Sequence, residues 1–66
     1  MNTIGKICAK YRREIGYRLI DVAEDTGYTF GNISAFENGR NDNGNILLWY
    51  ITHGLTAEYI KMNGGI

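Results

Sequence analysis

The 66 residues of this chain are enough for one small domain. Seven basic residues balance seven acidic ones, so the net charge is zero, and Cys8 has no second cysteine with which to form a disulfide. No apolar run approaches the roughly 20 residues that cross a bilayer, and the first residues lack a signal-peptide pattern. The sequence therefore predicts a cytoplasmic protein with no membrane partner.

The first predicted helix has apolar residues at three- and four-residue spacing over 4–15, with Lys6, Lys10 and Arg13 on the other face. Gly16 is placed to end it in a left-handed conformation. Basic residues are concentrated toward the N-terminus and acidic ones after them, so the chain is a charge dipole. A positive end can attract phosphate, although an ordinary solvated helix face shows the same pattern.

A second helix is predicted over about 18–26, closed by Gly27. A third is predicted over about 29–38, where the hydroxyl of Thr29 can cap the first turn and Gly39 ends the helix. The helical spacing of apolar residues continues through both segments. The connection between them is short.

The loop 41–45 is rich in Asn, Asp and Gly, which tolerate turn geometry. A fourth helix is predicted over 46–53, and a fifth begins after Thr56 and frays at 64–66. The sequence thus predicts one domain over residues 1–63. Five short helices with short connections indicate a compact all-α bundle.

A series of residues in the second and third helices has a definite order and spacing: Val22-Ala23, Gly27, Thr29, Ile33 and Glu37-Asn38-Gly39. This series resembles the helix-turn-helix DNA-binding domains of Cro and the phage repressors, also described as xenobiotic-response-element-like. The resemblance covers nearly the whole chain and implies a lambda-repressor-like fold. It further implies a sequence-specific transcriptional regulator of phage or mobile-element type, working in a bacterial host cell without a cofactor.

The resemblance also explains two charged residues near the predicted core. Arg12 lies on or beside the buried stripe of the first helix, and Glu37 lies one turn after Ile33. In the family, an Arg and a Glu at matching positions form a partly buried ion pair that ties the first helix to the third. The planar fork of Arg suits such a partner, so we interpret Arg12 and Glu37 as structural.

The resemblance implies that the start of the third helix enters the major groove of double-stranded DNA. There Asn32 can bond to adenine, Phe30 and Ala35 can contact a thymine methyl group, and Gly31 lets the helix come close, which favours an A·T-containing operator. Three further residues, Arg18, Asn38 and Arg40, can hold phosphate. The implied DNA-binding set is Arg18, Thr29, Phe30, Gly31, Asn32, Ala35, Asn38 and Arg40.

Some positions depart from the family pattern. Leu19 and Ile20 stand where relatives often have polar residues, Arg18 replaces the usual cap, and Asp42 puts a negative charge in a loop that is often basic. Exposed apolar surface is more typical of protein binding than of nucleic-acid binding. The alternative function is therefore a helix-turn-helix scaffold that binds a protein, as an inhibitor or adaptor, through an apolar face around Leu19 and Phe30.

The fourth helix contains six consecutive apolar residues, Ile46-Leu47-Leu48-Trp49-Tyr50-Ile51, which cannot all face one small core. We therefore expect a two-fold homodimer through the fourth and fifth helices. The alternative is that one or two of these side chains are simply exposed. The predicted interface residues are Leu47, Leu48, Ile51 and Tyr59.

An enzyme is not expected. The sole histidine, His53, falls near a helix C-terminus, where packing and the helix dipole explain it. No Cys, His or carboxylate group has metal-ligand spacing, and no nucleophile has an evident base. The acidic group Asp21, Glu24 and Asp25 is interpreted as a solvated face, so we expect no catalytic and no metal-binding residues.

Overall fold

The computed structural model describes residues 3–65, which fold into five α-helices joined by short loops. They are α1 (Ile4–Glu14), α2 (Leu19–Thr26), α3 (Phe30–Glu37), α4 (Gly44–Thr52) and α5 (Ala57–Met62). The predicted all-α class is confirmed. Both α1 and α2 pack on α3, and α4 packs on the same two helices from another side.

Most helices begin at a side chain that accepts a hydrogen bond from the first turn. Thr3, Thr29 and Thr56 each accept from the backbone N–H three residues later. Asn43 accepts from the N–H groups of residues 45 and 46, so α4 begins at Gly44 rather than at the predicted residue 46. The predicted start is two residues late because Asn, Asp and Gly made the whole 41–45 segment resemble a turn.

The end of α5 differs from the predicted frayed tail at 64–66. Gly64 has a positive φ of 85° and donates its N–H to the carbonyl of Lys61. Gly65 donates to the carbonyl of Ile60 at 3.0 Å. These two bonds form a Schellman cap, so Gly64 and Gly65 close the helix. Residues 1–2 of the predicted domain and residue 66 of the predicted tail lie outside the described residues.

The core is formed by side chains from the first four helices and the loop before α5. Burying each large apolar side chain contributes roughly 1.5–3 kcal/mol, and α4 supplies two of the most buried ones. Within α5 no residue is fully buried, so that helix is held by partial burial of Tyr59 and Ile60. The fully buried side chains of largest volume are Tyr50, Ile7, Ile33, Ile46, Val22 and Cys8.

The crossing of α1 and α3 is close because α1 has small residues on that side. A Cβ atom added at Gly5 would collide with the carbonyl oxygen of Phe36 on α3. Ala9, one turn later, is also buried. This close approach fixes the position of α1 beside the C-terminal half of α3. No helix among residues 3–65 is both long and apolar enough to cross a membrane.

Candidate nucleic-acid interface

A buried ion pair fixes α3 against α1. Nε of Arg12 donates to Oε2 of Glu37 at 2.8 Å, and Nη2 donates to Oε1 at 3.0 Å. The third nitrogen, Nη1, donates to the backbone carbonyl of Tyr17 at 3.0 Å. The hydrogen bond to Glu37 raises the pKa of Arg12. The structure thus brings Arg12 and Glu37 together, and with 8% and 5% of their surfaces exposed they are more deeply buried than the sequence indicated.

The opposite side of α3 is exposed. Ile33, Phe36 and Glu37 are buried against the rest of the domain, whereas Gly31 and Asn38 face solvent. Ser34 and Ala35, between them along the helix, are half-buried. Apart from the exposed ring of Phe30 at the first position, the outer surface of α3 has short side chains, so another molecule can come close to the helix backbone after the first turn.

The start of α3 presents the residues predicted to contact bases. The hydroxyl of Thr29 accepts from the N–H of Asn32 at 3.1 Å, which orders the first turn. Asn32 is exposed, and its side-chain amide makes no hydrogen bond to any residue in 3–65. Phe30 exposes 55% of its surface. An unpaired amide and an exposed ring therefore stand at the same end of the helix.

Two residues predicted to hold phosphate have partners of their own. The guanidinium of Arg18 donates to Asp21 at 3.0 and 3.3 Å, and these bonds lower the pKa of Asp21. The amide of Asn38 donates to the carbonyl of Ser34 at 2.8 Å, within its own helix. Arg40 is exposed and has no ion pair within the described residues. Among these predicted contacts, Arg40 is the one with an uncompensated charge.

Glu24 and Asp25 of the predicted solvated acidic face are exposed and Asp21 is half-buried, and two of the three residues also have hydrogen-bond partners. Asp21 is tied to Arg18, and its carboxylate also accepts from the backbone N–H of Arg18 at 2.7 Å. Asp25 accepts from the indole Nε1 of Trp49 at 3.0 Å. Only tertiary packing brings Trp49 to Asp25, so helical periodicity gave no signal for this contact.

His53 belongs to an aromatic cluster. Its ring stacks on Trp49 with the ring centroids 3.9 Å apart, and it meets the edge of Tyr17 at 5.3 Å. Its Nδ1 lies 2.7 Å from the backbone carbonyl oxygen of Trp49. Packing therefore accounts for the position of this side chain.

A cleft of about 530 Å³ lies between α1 and α3. Lys6, Lys10 and Arg13 line it from the exposed face of α1, and Ser34 and Asn38 line it from α3. The spacing of the three cations was visible in the sequence. Their position beside α3 was not, because it depends on the close helix crossing at Gly5.

The four residues predicted to form a dimer interface differ in exposure. Leu48 and Ile51 expose 54% and 47% of their surfaces and lie one turn apart on α4. Leu47 is half-buried and lines a second, smaller cleft. Tyr59 is occupied within its own chain, since its ring meets the edge of Tyr11 and its hydroxyl donates to Glu14 at 2.8 Å. Of the predicted dimer interface, only Leu48 and Ile51 are therefore exposed.

The described residues contain no group of three or more His, Cys, Asp or Glu side chains arranged to hold a metal ion. Cys8 is fully buried, and burial, helped by the charge of Glu37, raises the pKa of its thiol to about 12. A protonated, inaccessible thiol is unreactive near neutral pH.

The sequence of this chain matches no protein-family model and no curated protein, and its fold matches no solved structure.

Proposed function

We propose that this protein is a sequence-specific DNA-binding regulator of helix-turn-helix type, with α3 in the major groove of an A·T-containing site. One observation supports the proposal: after Phe30 the outer side of α3 has short side chains, while its inner side is fixed by a buried ion pair. A rigid helix of this width fits the major groove of B-DNA. The absence of bulky side chains at Gly31 and Ala35 favours a close approach to the bases.

The individual roles follow from the chemistry of each side chain. Asn32, with an unpaired amide, can make a bidentate contact to adenine. Phe30 and Ala35 offer apolar contact to thymine methyl groups. Thr29 caps the helix, and Arg40 holds phosphate at the other end. The intrahelical bond of Asn38 and the ion pair of Arg18 make them weaker candidates for phosphate binding.

The same proposal includes a homodimer in the cytoplasm of a bacterial host, acting as a phage- or mobile-element-type repressor. Leu48 and Ile51 are the residues that support a second copy, since both are large, apolar and exposed on one helix. A two-fold dimer would place two copies of α3 on successive turns of a palindromic operator.

Protein binding is the second candidate, favoured by a specific observation. Phe30 and Ile20 expose 55% and 38% of their surfaces, and Leu19 is half-buried. An apolar surface around Leu19 and Phe30 would suit an inhibitor or adaptor better than a phosphate backbone. Binding of this kind depends little on salt, because apolar burial is not screened.

The decisive experiment is selection of random duplex sequences with the purified full chain at a stated, low salt concentration. A recovered palindrome containing A·T pairs supports DNA binding and two-fold symmetry together. Recovery of no sequence, together with no salt-dependent binding of any duplex, rejects the proposal. A partner protein whose binding is lost in Phe30→Ala would then establish the second candidate.

A further inference from the structure

The cleft between α1 and α3 combines three cations with polar groups. Lys6, Lys10 and Arg13 lie along one face of α1, and Ser34 and Asn38 form the wall opposite. A lysine ammonium and an arginine guanidinium can only donate hydrogen bonds, and a serine hydroxyl and an asparagine amide can donate as well. Since the amide of Asn38 already donates to Ser34 within its own helix, the donors that the cleft offers are the three cations of α1 and the hydroxyl of Ser34.

Among the described residues that line this cleft, Glu37 is the one carboxylate, and the charge of Arg12 offsets it. Glu37 lines the cleft, but its two oxygens accept from Arg12 and Tyr50. Glu14, the last residue of α1, keeps its charge because its partner, the hydroxyl of Tyr59, is neutral, but it is not among the residues that line the cleft. Lys10 donates to the side-chain oxygen of Asn63, a neutral group that leaves the ammonium charge in place. The cleft thus keeps a positive potential although the net charge of the chain is zero.

The spacing of the cations suits a polyanion rather than a single small anion. Lys6 and Lys10 are neighbours at i and i+4, and Arg13 follows one turn later. At a rise of about 1.5 Å per residue, the seven steps from Lys6 to Arg13 span roughly 10 Å. One strand of B-DNA advances about 3.4 Å per nucleotide along the axis, so this length matches about three nucleotides.

The cleft is also continuous with the outer face of α3, because Ser34 and Asn38 belong to both. A duplex that received α3 in its major groove would bring one flanking strand toward α1. We propose that Lys6, Lys10 and Arg13 form a second contact surface that binds the sugar-phosphate strand beside the groove occupied by α3. This inference rests on the proposed DNA-binding function. It gives the cations of α1 a specific binding role, whereas the sequence was compatible with both a phosphate-attracting end and a solvated face.

The test compares single charge-neutralising variants of the full chain. Lys6→Gln and Arg13→Gln each remove one cation from the cleft, and Lys61→Gln on α5 removes one exposed cation that does not line it. For each, the affinity for a duplex bound by the unmodified protein is measured over a salt series. We expect the slope of log K against log salt to become shallower by about 0.9 for each cleft variant. The slope for Lys61→Gln should remain close to that of the unmodified protein.

Phosphate ethylation interference locates the contact on the duplex. Ethylation of phosphates flanking the recognised bases should weaken binding of the unmodified protein and should matter less to Arg13→Gln. If Lys6→Gln and Arg13→Gln have the same slope as Lys61→Gln, the cleft inference is wrong while DNA binding stands. If the unmodified protein binds no duplex at low salt, the proposed function itself fails. Thermal unfolding of each variant establishes that any loss of affinity is not a loss of fold.

Discussion

Tyr50 donates its hydroxyl hydrogen to Oε2 of Glu37 over 2.5 Å, so a residue in the last turn of α4 holds a carboxylate on α3. The same oxygen accepts from Nε of Arg12 on α1. Three helices therefore converge on one buried carboxylate. Burial and this hydrogen bond raise the pKa of Tyr50, which keeps the hydroxyl protonated as a donor. The network sets the position of α3 relative to the rest of the domain.

Replacing Arg12 with Ala should destabilise the fold. Glu37 would remain buried without its cationic partner, and breaking one side of a buried pair costs about 3–5 kcal/mol. Urea unfolding of the variant and the unmodified protein measures the difference. Arg12→Lys is the control: lysine restores the positive charge but cannot form the bidentate hydrogen bonds to Glu37, so it should recover only part of the stability. An unchanged free energy of unfolding combined with lost DNA affinity would instead make Arg12 a binding residue.

Gly5→Ala should also destabilise the protein, although alanine is the better helix former. The added methyl group would collide with the Phe36 carbonyl, and forced overpacking typically costs about 1–3 kcal/mol. Gly44→Ala provides the matched control, since a Cβ there meets nothing within 4 Å and Gly44 is also in the first turn of its helix. That change should be neutral or stabilising by about 0.4–1 kcal/mol. Equal melting temperatures for the two variants would contradict the close crossing of α1 and α3.

Asn32→Ala and Arg40→Ala should have different effects on DNA binding. Loss of the Asn32 amide removes roughly 1–3 kcal/mol of discrimination at one adenine and leaves nonspecific affinity nearly unchanged. Loss of Arg40 weakens binding to all sequences and reduces the salt slope by about one unit. Titrations with specific and scrambled duplexes over a salt series separate the two effects. Identical behaviour of both variants would count against a base contact by Asn32.

Leu48→Lys and Ile51→Lys should each yield a folded monomer with weakened operator binding. Both side chains are about half exposed, so a charge is tolerated in the monomer but is costly in an apolar interface. Sedimentation of the unmodified protein at high micromolar concentration should show a dimer. The exposed Lys61 provides a control as Lys61→Ala, which should leave the dimer intact. A strictly monomeric unmodified protein would refute this part of the proposal.

The stability of the fold should decrease in alkaline solution. In the folded state burial raises the pKa of Cys8 to about 12, whereas the pKa of a cysteine in an unfolded chain is about 8.5. The folded state therefore holds the proton more tightly, so this contribution is complete below about pH 8 and is lost as the pH rises toward about 12. Urea unfolding at several pH values measures the loss. Cys8→Ala should show a shallower decrease over the same range; an identical decrease would assign the effect to Tyr50 and other groups.

The sequence by itself determined the local structure. Apolar residues at helical spacing indicate where the helices lie. The hydroxyls of Thr29 and Thr56 cap the helices that follow them, and Gly16 and Gly27 end helices with a positive φ. All of these signals involve residues close together in the chain. Because these effects depend on a few neighbouring residues, the starts and ends of the helices can be predicted without knowing the tertiary fold. The helix start at Gly44 was missed because Asn43 serves equally well as a turn residue and as a cap.

Only the tertiary structure decided which distant groups meet. No sequence pattern links Asp25 to Trp49, although the two side chains are hydrogen-bonded. The close approach of Gly5 to the carbonyl of Phe36 likewise depends on how α1 crosses α3. For the same reason the sequence left open whether the cations Lys6 and Arg13 belong to a phosphate-attracting end or to an ordinary solvated face. In the structure, Lys6 and Arg13 form one wall of a cleft because α1 packs closely on α3. Which side chains meet across two helices depends on the distance and angle between the helix axes, and neither helix specifies these by itself.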